Sequence, residues 1–336
     1  MNIEIAIFTL FSFFLLFICT KISYKFNLVD IPNKRKIHSK PTAYTGGITL
    51  SIIYLLAISL FKINDIQLQF ILLAGFFISI VGLIDDEYNL NIISKLILQL
   101  LPILYLIFFK ELALTSMGDY YYFKLNLGDF KIVFTLLASL LLINAFNYFD
   151  GIDGSLTFSS FSVLAILYYL IADESLRLFL NIILIPLSIF LFFNFSVFKL
   201  PKLFLGDSGS LLLGFIIAFT LIYIANHNGI HPILLAWSIT IFVYEFLSVN
   251  WIRLSSKKNI FIAGLDHLHH ILYEKYKSLF LTNLLIMITN VIFFSIGYLS
   301  FNLINPITSL LLFIACFIIF FLIRVRFLNN IKIKLI

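Results

Sequence analysis

Long apolar runs separated by short polar stretches fill almost the whole chain. Eleven of them are predicted as helices, over roughly 3–20, 46–62, 68–84, 94–109, 131–149, 155–172, 178–196, 209–225, 233–252, 279–298 and 306–323. Most approach the ~20 residues that a helix needs to cross hydrocarbon. The pattern therefore predicts an all-α integral membrane protein with about eleven transmembrane helices. It reads as a single polytopic domain over 1–336, with polar motifs in 30–272 and two C-terminal helices and a basic tail in 279–336. No Lys or Arg precedes the first run, while Lys21 and Lys25 follow it. That charge order predicts a retained helix with its N-terminus outside.

Composition excludes a soluble domain. The chain is 61% hydrophobic and 12% charged, with a mean hydropathy of +1.06, against about 25% charged in soluble proteins. Numbering the runs in order splits the connecting segments into two alternating sets, and one set holds 18 of the 23 Lys and Arg residues. By the positive-inside rule that set, with the C-terminus, is cytoplasmic. The ending "RVRFLNNIKIKLI" then reads as a basic tail against anionic lipid, with no catalytic role. Tyr120, Tyr121 and Tyr122 fall in the other set and read as an interfacial belt. Cys19 and Cys316 both sit inside apolar runs and give neither disulfide nor zinc spacing. No nucleic-acid partner is expected.

The same partition gathers carboxylates from several helix ends on the cytoplasmic face. Charged groups there are costly unless they pair, reach water or hold a metal. "LVDIPNKRKIHSKPTAYTGGI" carries Lys34, Arg35, Lys36 and His38 ahead of Gly46-Gly47, a composition suited to phosphate, although taken alone it reads first as a plain positive-inside loop. "GLIDDEYNLNIISK" places Asp85 beside Asp86, where a divalent cation or basic partner would relieve their repulsion; two solvated acids would look the same. Lys95 at the start of the next run could reach back to an anion. In "NAFNYFDGIDGSL", Asn144, Asn147, Asp150 and Asp153 recur every three residues and so share one face of a helix end, where the plainer alternative is a polar turn between helices. "KLFLGDSGSLLLGF" sets Asp207 among glycines at a helix start, as an N-cap, a metal ligand or both. "AGLDHLHHIL" packs His267, His269 and His270 into four residues; zinc would want further Cys or His nearby, so phosphate or substrate contacts are favoured.

Taken in order, these five motifs resemble those of the polyprenyl-phosphate N-acetylhexosamine-1-phosphate transferases, the WecA/MraY superfamily. The resemblance runs from Asp30 to about Ile323 and is nearer the WecA side, since "HLHH" stands where MraY-like members typically have three consecutive histidines. Ala43 replaces a usual proline, and the Asp-Arg pair common just before the histidines is missing. The resemblance implies an active site built from cytoplasmic loops in a bacterial cytoplasmic membrane. It implies transfer of a sugar-1-phosphate, by default N-acetylglucosamine-1-phosphate, from a UDP-N-acetylhexosamine to undecaprenyl phosphate, with release of UMP. That product would begin an O-antigen, teichoic acid, capsule or glycoprotein pathway. Magnesium, with manganese as a substitute, would be held by Asp207 and Asp86. Asp85, Asp86, Asp150, Asp153, His267, His269 and His270 fall at catalytic positions. Lys36, His38, Lys95, Asn144, Asn147 and Phe204 fall at substrate positions, with Phe204 packing on uracil.

Three alternatives carry different expectations. An MraY-like enzyme would transfer phospho-MurNAc-pentapeptide. A secondary transporter would show inverted repeats and mid-membrane polar residues, and no internal repeat is visible. A non-catalytic lipid-binding protein would have no need of the acids. The sugar and the oligomeric state, a homodimer included, stay open. The charge partition makes one expectation directly measurable. A cysteine at Ser39 should react with an impermeant thiol reagent only after cells are permeabilised, and one at Asn228 should react on intact cells. Labelling of the Ser39→Cys variant on intact cells would reverse the topology.

Overall fold

The computed structural model describes residues 2–32, 40–257, 264 and 266–331. Within them the chain forms thirteen α-helices: α1 (Asn2–Lys25), α2 (Gly46–Leu60), α3 (Ile66–Tyr88), α4 (Ile92–Phe109), α5 (Lys131–Phe149), α6 (Ser155–Leu170), α7 (Glu174–Asn194), α8 (Gly206–His227), α9 (Pro232–Ser238), α10 (Thr240–Ser255), α11 (Leu268–Tyr276), α12 (Leu279–Leu303) and α13 (Pro306–Ile331). Two short antiparallel pairs accompany them, β1 (Val29–Asp30) with β2 (Thr42–Ala43) and β3 (Ser116–Asp119) with β4 (Lys124–Asn126). Among the described residues eight helices are long and apolar enough to cross a membrane, or nine if the bent pair α9–α10 counts as one span. The protein is thus an all-α, multi-pass membrane protein. Two of the eleven expected spans, α2 and α6, have only 15 and 16 residues, or roughly 23 Å of helix at 1.5 Å per residue.

Exposed residues on the outer helices repeat at helical spacing. Ile3, Ile7, Leu10 and Phe14 form one such stripe on α1, and Leu311, Ile314, Ile318 and Leu322 form another on α13. Apolar surface of this kind is stable only against hydrocarbon. α8 is the opposite case, buried along nearly its whole length.

The helices divide into two compact units, Met1–Leu112 with Ile171–Thr220, and Ala113–Leu170 with Leu221–Ile336. Each unit joins two separated stretches of chain. In the first, α2 packs on α1, α3 and α7, and α4 packs on α3. The segment after β2 lies along the segment before α8. Phe204 N–H donates to the Ala43 carbonyl at 2.7 Å, Gly46 N–H to Phe204 at 3.0 Å and Gly47 N–H to Leu205 at 2.9 Å. In the second unit, α12 is the hub, touching α6, α9, α10, α11 and α13.

Three expectations change. The run at 233–252 is not one helix: α9 and α10 meet at 72° around Ile239. A broken helix inside apolar surroundings frees backbone groups that must be satisfied by protein. Asn290 of α12, fully buried, does this. Its Oδ1 accepts the Ile241 N–H at 3.1 Å, and its Nδ2 donates to the Ser238 carbonyl and to Ser162 Oγ, each at 2.8 Å. The tyrosine belt also splits. Tyr121 and Tyr122 are exposed, but Tyr120 is buried between Phe123 and His231. Finally, α13 runs past 323, and Arg324, assigned to the lipid-facing tail, is 3% exposed. The remaining tail beyond Ile331 lies outside the described residues, as do the predicted site residues Lys36 and His38.

Replacing Asn290 by Leu leaves a buried N–H and a buried carbonyl without partners, each costing about 1–3 kcal/mol. The Asn290→Leu variant should therefore unfold in detergent at a clearly lower temperature than Asn290→Gln. Equal midpoints would mean that Asn290 does not mend the break.

Candidate active site

In the first unit the chemistry collects at the N-terminus of α8. α3 continues through the acidic pair to Tyr88, so Asp85 and Asp86 project from helix rather than loop and point to different partners. Gly82, one turn earlier, lies against the backbone of Asp207 and Ser208, where any Cβ would collide. That close approach lets Asp86 accept the Asp207 N–H at 3.0 Å and the Ser208 N–H at 3.4 Å. Both donors are among those left open at a helix start, and a carboxylate there also gains from the helix dipole. The cap of α8 is therefore Asp86 from another helix. Asp207, inside the first turn, keeps its carboxylate for other work.

Lys95 of α4 takes up that carboxylate. Its ammonium bonds Asp207 Oδ2 and lies 2.5 Å from Asp85 Oδ2. Asp85 also accepts the Leu90 N–H at 2.9 Å, which fixes the turn between α3 and α4. Beside this cluster Tyr44 donates to Glu87, a pairing that the sequence did not reveal. Phe204 is held by its own backbone bonds, with the Lys202 ammonium 5.2 Å above its ring. Two carboxylates around one cation make a hard, all-oxygen donor set. Among the described residues no group of three His, Cys, Asp or Glu could hold a metal. Magnesium needs only one or two carboxylates when substrate phosphates complete its shell, so Asp85 and Asp207, sharing the Lys95 ammonium, fit that ion.

The second unit assembles the asparagines, the next acids and the histidines. α5 ends at Phe149, and Asp150 leaves helical geometry with φ −86° and ψ 56°. The expected single face of four residues therefore stops short. Asn144 and Asn147 share the helix, but Asp150 caps its end and Asp153 lies in the turn before α6. Small residues permit the turn: the Ser155 hydroxyl returns to the Phe149 carbonyl. Gly151 sits under the His269 and His270 rings, with no room for a side chain. The Asp153 carbonyl accepts Asn283 Nδ2 at 2.8 Å, tying the turn to α12.

The three histidine rings lie together, with centroids 5.7 Å apart for His267–His269, 4.3 Å for His269–His270 and 6.5 Å for His267–His270. Tyr148 meets His267 edge-on at 4.8 Å. His269 is fully buried, and neither of its ring nitrogens has a hydrogen-bond partner among the described residues. Burial pushes His267 and His270 down to about 4, and drives His269 well below the ordinary imidazole value. Burial thus favours the neutral imidazole in all three near pH 7, a form that can both donate and accept a hydrogen bond.

Two further charged pairs went unnoticed in the sequence. Arg253 grips Asp266 with two bonds, Nε to Oδ2 at 2.9 Å and Nη2 to Oδ1 at 2.6 Å. Burial opposes ionisation of Asp266, yet the Arg253 bonds prevail and hold its carboxyl below the usual range. Glu245 of α10 and Arg324 of α13, both buried, form the other pair. The one signal for them was Glu245, a charge inside the run at 233–252, which is costly without a partner.

The neutral histidines set a pH dependence. Unfolded imidazoles titrate near 6.5, while folded His267 and His270 resist protonation down to about 4. Above pH 6.5 their contribution to stability is complete. Below it the unfolded state binds protons that the folded state refuses, so stability falls toward pH 4. The unfolding midpoint in detergent should drop across that window, and less steeply for His270→Asn. Parallel slopes for the two proteins would contradict neutral burial of His270.

Residues 68–225 match the family model described as glycosyl transferase family 4. The chain is 30% identical over 281 residues to the undecaprenyl-phosphate alpha-N-acetylglucosaminyl 1-phosphate transferase of Yersinia pestis, covering 81% of this chain and 76% of the relative. Identity to the enzyme of the same name from Escherichia coli K12 is 28% over 272 residues, covering 78% and 74%. A probable undecaprenyl-phosphate N-acetylglucosaminyl 1-phosphate transferase of Bacillus subtilis is 27% identical over 270 residues, covering 75% and 72%. The carboxylates of α3 and α8, together with Lys95, fall inside the stretch matched by the family model, and the Yersinia relative aligns across three quarters of its length: the chain belongs to glycosyl transferase family 4.

Proposed function

We propose that this protein transfers N-acetylglucosamine-1-phosphate from UDP-N-acetylglucosamine to undecaprenyl phosphate. A phosphate oxygen of the lipid attacks the sugar-bearing phosphorus of the diphosphate. The bond from that phosphorus to the bridging oxygen breaks, and UMP leaves with the oxygen. The observation that carries this reading is the Asp85–Lys95–Asp207 cluster at the N-terminus of α8. Phosphoryl transfer asks a protein mainly for positioning and for neutralising charge on phosphate oxygens. An ammonium beside two carboxylates that can take a divalent cation is chemistry of that kind.

Each residue has a role in this scheme. Lys95 exchanges a carboxylate for a phosphate oxygen. Asp86 keeps α8 capped, so that Asp207 stays aimed at Lys95. Asp85 and Asp207 would hold magnesium, which when bound supplies charge neutralisation for the diphosphate. A lipid phosphate is largely dianionic at pH 7 and needs no general base, so the acids are positioning groups and metal ligands. Asn144, Asn147, Asp150 and Asp153 would serve the nucleotide, and Phe204 the uracil. The orphaned nitrogens of buried His269 are costly unless a ligand group meets them. That makes neutral hydrogen bonding to phosphate or ribose the natural task of the three histidines.

The finer topology belongs to the same proposal: eleven membrane passages, with α2 and α6 among them, the N-terminus outside and the motif loops on the cytoplasmic face of a bacterial inner membrane. A phospho-MurNAc-pentapeptide transferase is not favoured, because the named relatives are N-acetylglucosaminyl 1-phosphate transferases.

Purified protein with undecaprenyl phosphate, magnesium and UDP-N-acetylglucosamine should release UMP, and EDTA should stop it. Asp207→Asn should fold normally and lose at least about a hundredfold in turnover, since an amide cannot replace the carboxylate on magnesium. Release of UDP would mean attack at the anomeric carbon and a different reaction. Near-normal turnover of Asp207→Asn would remove Asp207 from the metal site.

A further inference from the structure

α11 carries all of its chemistry in its first turn, yet nine residues are too few for a helix to hold itself. Its N-cap, His267, makes no side-chain capping bond. The first helical N–H, that of Leu268, donates instead to Glu245 Oε1 of α10 at 3.0 Å. The same oxygen stands 3.5 Å from His267 Nδ1. The other carboxylate oxygen of Glu245 receives Arg324 Nη1, and Arg324 Nη2 donates to the backbone carbonyl of Asp266. One buried guanidinium from α13 thus reaches both the anion that caps α11 and the chain just ahead of His267. Glu245 and Arg324 are each at most 3% exposed.

We propose that Glu245 and Arg324 are positioning residues for the histidine helix: the pair fixes the N-terminus of α11, and with it the three imidazoles. This rests on the transferase reading given above. A plain structural tie between α10 and α13 would need only the ion pair. It would need neither the Leu268 N–H on one end nor the Asp266 carbonyl on the other. Two hydrogen bonds to the backbone on either side of His267 set the angle at which α11 leaves its loop. They also explain why a charge pair is placed where apolar side chains would pack at less cost.

Single substitutions leave one buried charge without a partner, and those variants are expected to misfold. The test therefore uses the double variant Glu245→Met/Arg324→Met in the full chain in detergent, beside Glu245→Gln/Arg324→Met, which keeps an acceptor for the Leu268 N–H. Two readouts are taken. Hydrogen–deuterium exchange follows the peptide 266–276, with α12 as an internal control, and UMP release from UDP-N-acetylglucosamine and undecaprenyl phosphate is expressed per folded molecule. The double Met variant should keep the thermal midpoint and the α12 protection of the unchanged protein. It should lose protection in 266–276 and drop roughly a hundredfold in kcat, the scale of a 1 Å misplacement. The Gln variant should regain part of both. Full protection of 266–276 in the double Met variant overturns the proposal, as does undiminished kcat. So does a loss of protection spread equally through α12, which would mark the pair as a general brace. If the unchanged protein releases no UMP, the proposed reaction falls, and the exchange data alone decide whether the pair holds α11.

Discussion

The two helices that begin with candidate site residues, α8 and α11, are capped by carboxylates from other helices. Asp86 of α3 takes the first N–H groups of α8, and Glu245 of α10 takes the first N–H of α11. A helix start leaves N–H groups without intrahelical partners, and satisfying them stabilises the helix. A local Ser or Asp would satisfy α8 from within its own sequence. A cap brought from elsewhere does more, since it fixes the helix relative to the element that lends it. Asp207 is thereby free to face Lys95, and the histidines are held in one orientation.

Several charges of each unit are balanced nearby. Lys95 lies between Asp85 and Asp207 in the first unit, while Arg324 and Arg253 serve Glu245 and Asp266 in the second. In the second unit both pairs are buried, and removing one member of such a pair typically costs about 3–5 kcal/mol. The pairs are consequently fixed points of that unit, and the nitrogens of His269, without partners among the described residues, are conspicuous against them. Asn290 obeys the same constraint in neutral form, taking the backbone groups that the α9–α10 bend releases.

Most of the architecture was legible along the chain. Apolar runs mark helices because a membrane span has to be apolar for about 20 residues in succession, and every one of the eleven runs contains helix in the structure. The acidic pair, Asp207 and the histidine triplet were visible because polar and ionisable residues in so apolar a sequence stand out. The misreadings arose where local spacing was extended too far. Asp150 and Asp153 follow the three-residue rhythm of Asn144 and Asn147, but α5 ends at Phe149, where the chain turns under His269. The rhythm of residues does not say where a helix stops when the reason for stopping lies in a distant segment.

The sequence by itself determined the class of protein, the number of apolar runs and the residues in which chemistry could reside. All of these follow from the cost of placing each side chain in hydrocarbon or in water, which is a property of local composition. Only the tertiary structure decided which carboxylate caps and which pairs with Lys95. It also turned Arg324 from a residue of a lipid-facing tail into the partner of Glu245, 79 positions away, and bent one predicted span into α9 and α10 around Asn290. Such assignments depend on which helices come within hydrogen-bonding distance. That distance is set by packing, with Gly82 against α8 as the clearest case, and no pattern confined to one segment records it.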